Sequence, residues 1–390
     1  PVPLAPGPPG PRPPAAAPRG RGGRGPGGPR RPRPATRPYA AGQHTGSTRV
    51  TTTAPPTTPG PAPGGSSEPA RRAGPSRRRA RNSARGVNRA FRWTATGAGA
   101  LILAVLAAVA IFLLLRAWPA LSAGGAELSE QVAWFPEGAS LLSFVGPLIF
   151  GTLLAAALSL VLATPVAMGI ALFISHYAPR RLASTLGYVV DLLAAIPSVV
   201  YGLWGSLVLP PVVVPVWSWL ADTLGWFPLF AGPASPTGRV LLTVALVLAV
   251  MILPIITAVS REVFLQTPKL HEEAALALGA TRWEMIRTAV IPFGRSGVIS
   301  AAMLGLGRAL GETMAVLMIL SPGLLYSFKI LQAGQQQTIA ANIAADFPEA
   351  NPLGVSALIA TGLALFVITL LVNMGARAIV ARRKDFSGAN

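Results

Sequence analysis

Residues 305–320 read GLGRALGETMAVLMIL, a stretch that is apolar enough to lie in a membrane yet carries Arg308 and Glu312. One charged side chain at the centre of a bilayer costs about 2.5–3.5 kcal/mol even on the milder insertion scales. Such charges normally face a protein interface or a water-filled cavity instead of lipid. The stretch therefore predicts a membrane-spanning helix whose polar side meets protein or a transported ion.

The composition of the whole chain agrees with a membrane protein that carries an added polar segment. Of its 390 residues, 51% are hydrophobic and 12% are charged, against about 25% charged residues in soluble domains. The first 95 positions hold 18 of the 33 Lys and Arg residues, and Glu68 is their only acid. Most of the net charge of +19 therefore lies in that segment.

A Pro/Gly/Arg-rich segment of this kind cannot bury a core. Residues 1–94 are therefore predicted to form a disordered cytoplasmic tail, whose arginines hold the first span at the cytoplasmic side and contact membrane lipid. The run RGRGGRGPGG at 19–28 leaves RNA binding as an alternative. Because a solvated tail explains the composition, we expect no nucleic-acid partner.

Six segments are long and apolar enough to cross a membrane, which needs about 20 residues. They lie at about 96–115, 147–174, 185–209, 240–259, 296–320 and 354–380. Basic loops alternate with acidic ones, which places both termini in the cytoplasm by the positive-inside rule. The predicted fold is thus an all-α membrane protein, with a transmembrane domain at 95–385 that is multi-pass in the cytoplasmic membrane.

The long cytoplasmic loop at 260–295 contains HEEAALALGATRWEMIRTAVIP (271–292). It reads as two helices joined at Gly279, which can adopt the left-handed conformation that ends the first helix. An amphipathic hairpin lying in the membrane interface is the alternative.

Enzymatic chemistry finds no support in the sequence. The chain lacks cysteine, and its three histidines form no metal-ligand or triad spacing with the carboxylates, so no cofactor and no metal are expected. None of Lys269, Lys329 and Lys384 follows a glycine, so the chain has no Walker A phosphate loop.

The order Glu273-Ala274-Ala275, three residues, Gly279 and later Ile291-Pro292 resembles the EAA loop of ABC importer permeases. The longer run at 272–316, together with AIPSVVYGLWG at 195–205, is similar to the PstC-type permease of the phosphate ABC importer, a binding-protein-dependent transport system inner membrane component. The resemblance covers roughly residues 95–385.

This resemblance implies a type I ABC importer permease that translocates inorganic phosphate, with ATP hydrolysed by a partner. It implies three kinds of protein partner: a PstA-type second permease subunit, a PstB-type ATPase dimer that docks on Glu273, Ala274, Ala275 and Gly279, and a PstS-type phosphate-binding protein outside. The alternatives are import of sulfate or molybdate by the same architecture, an ATP-independent anion transporter, and a membrane scaffold.

Arg308 and Glu312 are the candidate residues of the translocation path. On a continuous helix they lie 40° apart, at a spacing that permits an ion pair, on a face with the small residues Ala301, Gly305 and Ala315. A guanidinium suits a phosphate oxyanion, and Glu312 would orient Arg308 and limit how tightly the anion binds. A structural ion pair between two helices is the alternative.

Three further residues carry polar groups into the membrane within the third predicted span. Pro197 can break the helix, so Ser198 and Tyr201 are possible path-lining residues. Asp191 would repel phosphate, and we expect it to pair with a basic residue near the cytoplasmic end.

Overall fold

The computed structural model describes residues 76–384, with side chains for Arg89 and for residues 91–378, and the regular structure in that range is helical. The helices are α1 (Ser76–Ser122), α2 (Gly125–Gln131), α3 (Leu141–Leu172), α4 (Arg180–Ala194), α5 (Ser198–Leu203), α6 (Pro210–Leu224), α7 (Leu241–Leu265), α8 (Lys269–Ala277), α9 (Arg282–Met285), α10 (Ile291–Leu310), α11 (Met314–Ile319), α12 (Ile339–Asp346) and α13 (Pro352–Lys384). π-helical turns extend α3, α5 and α9 at Phe173–Tyr177, Trp204–Val208 and Ile286–Val290.

Five helical segments are long and apolar enough to span a membrane without a break. They are Phe91–Ser122, Leu141–Tyr177, Leu241–Leu265, Arg282–Leu310 and Pro352–Ala378. Helix α4 and the segment Ser198–Val208 make a further candidate, bent by 86° between its halves. Counted as one broken span, this pair brings the number to six, so the all-α membrane fold is confirmed.

Three boundaries differ from those expected. The segment expected at 185–209 is broken because Pro197 has no N–H to continue the helix and keeps the preceding residue out of the α region. The segment expected at 296–320 ends at Leu310 and resumes at Met314. The expected tail lies outside the described residues up to position 75, and from Ser76 onward the chain is helical.

Helix α7 is the centre of the packing. In its apolar 18-residue stretch 67% is buried, whereas 0% of the corresponding stretch of α1 is buried. Helices α3 and α10 both pack against α7. Gly305 of α10 lies so close to α7 that an added Cβ would be 2.9 Å from Ile256. Small residues on α10 therefore serve close approach of two helices, as they do in many membrane proteins.

Candidate functional site

The stretch with Arg308 and Glu312 is not one helix, because α10 ends at Leu310 and α11 begins at Met314. Gly307 and Gly311 weaken the helix here, since a glycine costs about 1 kcal/mol relative to alanine in a helix interior. The expectation that Arg308 and Glu312 share a face of one continuous helix is therefore wrong. Arg308 lies in the last turn of α10, and Glu312 lies within a break at residues 311–313, which we call the second interruption.

Glu312 is nearly buried, with 9% of its surface exposed. Its Oε1 accepts a hydrogen bond from the backbone N–H of Ala315 at 3.2 Å, in the first turn of α11. The first N–H groups of a helix have no partner within the helix, so this carboxylate acts as a cap. Glu312 thus caps the first turn of α11 from a position just before the helix.

Arg308 has a different environment. Its side chain is partly buried, and its Nε is fully buried without a hydrogen-bond partner. Within the part of the chain that the structure describes, no carboxylate lies within 4.0 Å of its guanidinium, so the expected Arg308–Glu312 ion pair does not form. A half-buried cation in this condition has hydrogen-bonding capacity that an anion can satisfy.

The first interruption lies at residues 195–197, between α4 and α5. Pro197 removes the N–H that would bond to the Leu193 carbonyl, and the Tyr201 hydroxyl donates to that same carbonyl at 3.0 Å. Tyr201 is 8% exposed. Its hydroxyl interacts electrostatically with the guanidinium of Arg308. Ser198 is the first residue of α5 and is partly buried.

The two interrupted segments pack against each other. An added Cβ on Gly202 of α5 would lie 2.8 Å from the Met318 Sδ and 3.0 Å from the Ala315 Cα, both in α11. The structure thereby brings Tyr201 close to Arg308 and places the helix that Glu312 caps against α5. For Ser198 it gives a position at the first interruption and no contact with the other candidates.

A cavity of about 490 Å³ opens beside the second interruption. Gly311 and Thr313 form one side of it, and α12 and the turn that follows form most of the other, with residues Ala340, Ile343, Ala344, Phe347 and Pro348. The backbone at the break therefore borders open space on this side.

The expected pair of helices in the loop at 260–295 is present, and the prediction that Gly279 ends the first of them is confirmed. Gly279 has φ +85° and follows α8. Its N–H donates to the Leu276 carbonyl at 3.0 Å, and the N–H of Ala280 donates to the Ala275 carbonyl at 3.2 Å. These two bonds define a Schellman motif, whose left-handed residue favours glycine.

The second helix of this loop begins with a capping box. The Thr281 hydroxyl accepts from the Glu284 N–H at 3.3 Å, and the Thr281 N–H donates to the Glu284 carboxylate at 2.8 Å. From here the chain continues through the π turn into α10, so the loop helix is the start of a span.

In the loop, Glu273 and Ala274 are exposed, whereas Ala275 packs against a buried cluster at the ends of α3 and α7. The exposed apolar side chains of the loop, which were not expected to be functional, include Leu278 at 90% and Trp283 at 54%. The sequence signal that could have identified these two residues is a large apolar side chain in an otherwise charged loop. Together these four exposed residues form a surface suited to a protein partner.

Asp191 does not have the expected partner. It lies on the exposed side of α4, and no basic group is within 4.0 Å of it among the residues described. Across residues 76–384, no group of three or more metal-ligating side chains is arranged to hold a metal ion.

Comparisons with known proteins agree on one family. Residues 163–385 match the family model described as "Binding-protein-dependent transport system inner membrane component". The chain is 48% identical over 304 residues to the phosphate transport system permease protein PstC 2 of Mycobacterium tuberculosis, which covers 76% of this chain and 92% of that protein.

Two further relatives carry the name PstC. The protein of Mycobacterium leprae is 48% identical over 279 residues, or 70% of this chain and 87% of the relative. That of Haemophilus influenzae is 37% identical over 308 residues, or 76% and 94%. Among solved structures, an inward-facing MetNI methionine ABC transporter superposes with a TM-score of 0.40 and 16% identity, covering 62% of this chain and 95% of that one.

Proposed function

The chain belongs to the family of binding-protein-dependent transport system inner membrane components, and from this premise we propose that it is the permease subunit of an ATP-driven importer of inorganic phosphate. The relatives that support this assignment are named as phosphate permeases and match at 37–48% identity over most of the chain. Import of sulfate or molybdate by the same kind of permease remains the second candidate, because one arginine distinguishes these oxyanions poorly.

The environment of Arg308 is the observation that carries the site assignment. Its guanidinium has a buried, unpartnered Nε and no carboxylate within 4.0 Å among the described side chains. We assign Arg308 to the path, where its planar set of donors binds two phosphate oxygens at once. The charge of the arriving anion then compensates a cation that has no counter-ion among the described side chains.

Glu312 and Tyr201 act on this arginine from the two interruptions. Glu312 is engaged with the first turn of α11, so it leaves Arg308 available while repelling an anion that binds too deeply. Tyr201 stabilises the break between α4 and α5 and adds a neutral polar group beside the guanidinium. Ser198 lines the path at the first interruption, where its hydroxyl can donate to an oxyanion.

The energy for transport comes from partner subunits. The surface formed by Glu273, Ala274, Leu278 and Trp283 suits docking of an ATPase, and Ala275 and Gly279 fix the shape of that surface. The complete importer then contains a homologous second permease, two ATPase subunits and a phosphate-binding protein at the outer face. ATP binding turns the path outward and hydrolysis returns it inward, with both termini of this chain in the cytoplasm.

Uptake of radiolabelled phosphate tests the proposal, in a strain that lacks its own copy of this subunit, with assembly of the ATPase measured for each variant. Arg308→Lys replaces a fork of donors by a point charge, and we expect uptake to fall about 10–100-fold, since a hydrogen bond to a charged group contributes about 1.5–3 kcal/mol. Arg295→Lys is the matched control, because Arg295 lies exposed on the same helix α10.

Two outcomes would contradict the proposal. If Arg308→Lys transports as well as Arg295→Lys, Arg308 does not bind the anion. If the intact chain takes up labelled sulfate or molybdate and not phosphate, the substrate is wrong while the permease assignment stands.

A further inference from the structure

Helix α7 carries a second arginine that shares the main feature of Arg308. Arg261 lies one turn before the end of α7, and its side chain is 22% exposed. Its Nε is fully buried without a hydrogen-bond partner, like the Nε of Arg308. Among the arginine side chains that the structure describes, only these two have a buried Nε in that condition. Arg261 therefore also has hydrogen-bonding capacity that an anion can satisfy.

The guanidinium of Arg261 lies against helix α4. A Cβ added to Gly187 of α4 would overlap the Arg261 Nη1 and would lie 3.5 Å from its Cζ. Gly187 is buried, so the space left by its missing side chain is the space that the guanidinium fills. The contact fixes the position of this cation along α4.

The same helix leads to the surroundings of Arg308. Its last turn supplies the Leu193 carbonyl, to which the Tyr201 hydroxyl donates at 3.0 Å, and that hydroxyl interacts electrostatically with the Arg308 guanidinium. Gly187 and Leu193 are six residues apart, which is about 9 Å along a helix. The two arginines thus lie beside two levels of one helix.

The packing of α10 against α7 gives a second measure of this separation. A Cβ added to Gly294 of α10 would lie 2.7 Å from the Phe264 ring of α7. Near the other end of α10, Gly305 has a similar approach to Ile256, so the two helices are antiparallel. The two arginines lie three and five residues beyond this second contact, in opposite directions, which separates them by about 12 Å along the helix axes. Arg261 is the one nearer to the loop at 260–295.

Glu262 limits how strongly Arg261 can hold an anion. Its Oε1 accepts a hydrogen bond from the Arg261 Nη2 at 2.7 Å, and its side chain is 58% exposed. Arg308 has no carboxylate within 4.0 Å among the described residues. Asp191, one turn after Gly187 in α4, is also more than 4.0 Å from both guanidinium groups. An anion at Arg261 therefore competes with Glu262, which makes this position weaker than that at Arg308.

We propose that Arg261 is a second anion-binding residue of the translocation path, which receives phosphate from Arg308 and releases it toward the cytoplasm as Glu262 competes for the guanidinium. The inference rests on the proposed function, because it takes phosphate as the anion, Arg308 as the first binding residue and the proposed orientation of the chain. An ion path needs positions that attract the ion and yet bind it weakly enough for it to leave. The ion pair with Glu262 gives Arg261 this second property.

The alternative is that Arg261 only supplies a positive charge at the cytoplasmic end of the bundle. Arg181 provides the matched control, because it is an exposed arginine near the start of α4. Arg181→Gln and Arg261→Gln remove the same charge from the same end of the molecule. A difference between the two variants therefore reports what Arg261 does in addition.

The test uses the assembled importer in proteoliposomes, with the phosphate-binding protein and labelled phosphate outside and ATP inside. Uptake is measured at rising concentrations of unlabelled phosphate inside, with chloride added to hold the ionic strength, and hence the screening, constant. Phosphate that binds at Arg261 from the inside obstructs the path. The inner concentration that halves uptake therefore measures the affinity at this residue.

Arg261 and Glu262 should shift this concentration in opposite directions. Arg261→Gln removes charge-assisted hydrogen bonds to the anion, so we expect the half-inhibitory concentration to rise about tenfold. Glu262→Gln frees the guanidinium, so the concentration should fall about two- to fivefold, as expected for loss of a partly exposed ion pair. Arg181→Gln should leave it unchanged.

Three results would overturn the inference. They are equal half-inhibitory concentrations for Arg261→Gln and Arg181→Gln, shifts in the same direction for Arg261→Gln and Glu262→Gln, and an intact importer that phosphate inside does not inhibit. Glu262 is exposed, so its variant keeps the fold even if Arg261→Gln does not assemble. In that case a half-inhibitory concentration that is unchanged or raised in Glu262→Gln overturns the inference, and a lowered one supports it.

This inference and the proposed function fail in different ways. An intact importer that moves phosphate, with Arg261→Gln and Arg181→Gln inhibited alike, contradicts this inference alone. An intact importer that moves sulfate and no phosphate contradicts the proposed substrate. Sulfate inside then replaces phosphate in the same titration, which still measures anion binding at Arg261.

Discussion

At the residue scale, Tyr201 compensates for the proline four positions before it. Its hydroxyl donates to the Leu193 carbonyl at 3.0 Å, which Pro197 cannot serve as an i+4 donor and which also accepts from the Ile196 N–H at 3.3 Å. Tyr201→Phe removes this bond, and we expect the free energy of unfolding to fall by about 1 kcal/mol. Thermal unfolding in detergent measures the change, with Tyr188→Phe as control because Tyr188 is 73% exposed. Equal melting temperatures for both variants would show that the bond contributes nothing.

Asp346, at the end of α12, gives a pH-dependent prediction. Burial raises the pKa of its carboxyl, a hydrogen bond from Asn342 opposes the shift, and the charge of Glu349 adds to it. A group whose pKa is raised by folding stabilises the folded state most when protonated, and this contribution is lost as the pH rises through the raised pKa. Asp346→Asn should therefore melt at a temperature that changes less than that of the intact chain between about pH 4 and 7. A steeper pH dependence in the variant would contradict the sign.

The identity of the candidate path residue followed from the sequence, whereas its surroundings did not. An arginine in an apolar stretch is visible in any hydropathy reading, so Arg308 was a candidate before the structure. Spacing alone suggested an ion pair with Glu312, but the spacing argument holds only inside a helix, and Glu312 lies in a break where a backbone N–H is its partner. Glycine is common in membrane helices, so Gly311 did not signal the break.

At the scale of elements, the turn after α8 was predictable because its chemistry is local. The left-handed residue of a Schellman motif is usually glycine, and Gly279 has φ +85°. Gly279→Ala should cost about 1–2 kcal/mol in this conformation and weaken ATPase binding to the permease. Binding of the purified ATPase measures the effect. Gly375→Ala in α13 is the control, since Gly375 has no atom within 4 Å of an added Cβ; equal affinities would refute the prediction.

The contact between α5 and α11 has no local signature, which is why the sequence did not reveal it. It depends on Gly202, which leaves no room for a methyl group against Ala315. Gly202→Ala should destabilise the folded chain by about 1–3 kcal/mol, the usual cost of overpacking, and Met318→Ala in the same chain should recover part of it, because the Met318 Sδ is the nearest atom to the added methyl group. Thermal unfolding measures the loss and its recovery. Gly169→Ala in α3 is the control, because an added Cβ there has no atom within 4 Å. Additive losses in the double variant would mean that the two positions do not touch.

At the scale of the whole molecule, hydropathy predicted the number of spanning segments, because each is a continuous apolar run. It did not predict which of them is central: α7 and α1 have similar hydropathy, 2.8 and 3.0, yet opposite burial. Helix packing depends on shape at positions such as Gly305, which average hydropathy does not register. The 86° bend between α4 and α5 follows from Pro197. The sequence shows where this proline lies, but it does not give the angle of the bend.

The orientation across the membrane can be tested cleanly, since the chain has no cysteine. Lys269→Cys and Lys329→Cys each replace an exposed lysine, one in the docking loop and one between α11 and α12. A membrane-impermeant maleimide added to intact cells should label position 329 and leave position 269 unlabelled until the cells are opened. The reverse pattern would invert the proposed topology.

The tight approach of Gly202 to Met318 also bears on how such permeases diverge. A substitution at either position alone creates a clash or a gap between the two interrupted helices, so a lineage tolerates it only after a compensating change at the other. We therefore expect the two positions to co-vary among related permeases, with an enlarged residue at 202 accompanied by a smaller one at 318. Natural variation at this pair would then record past adjustments of the path itself.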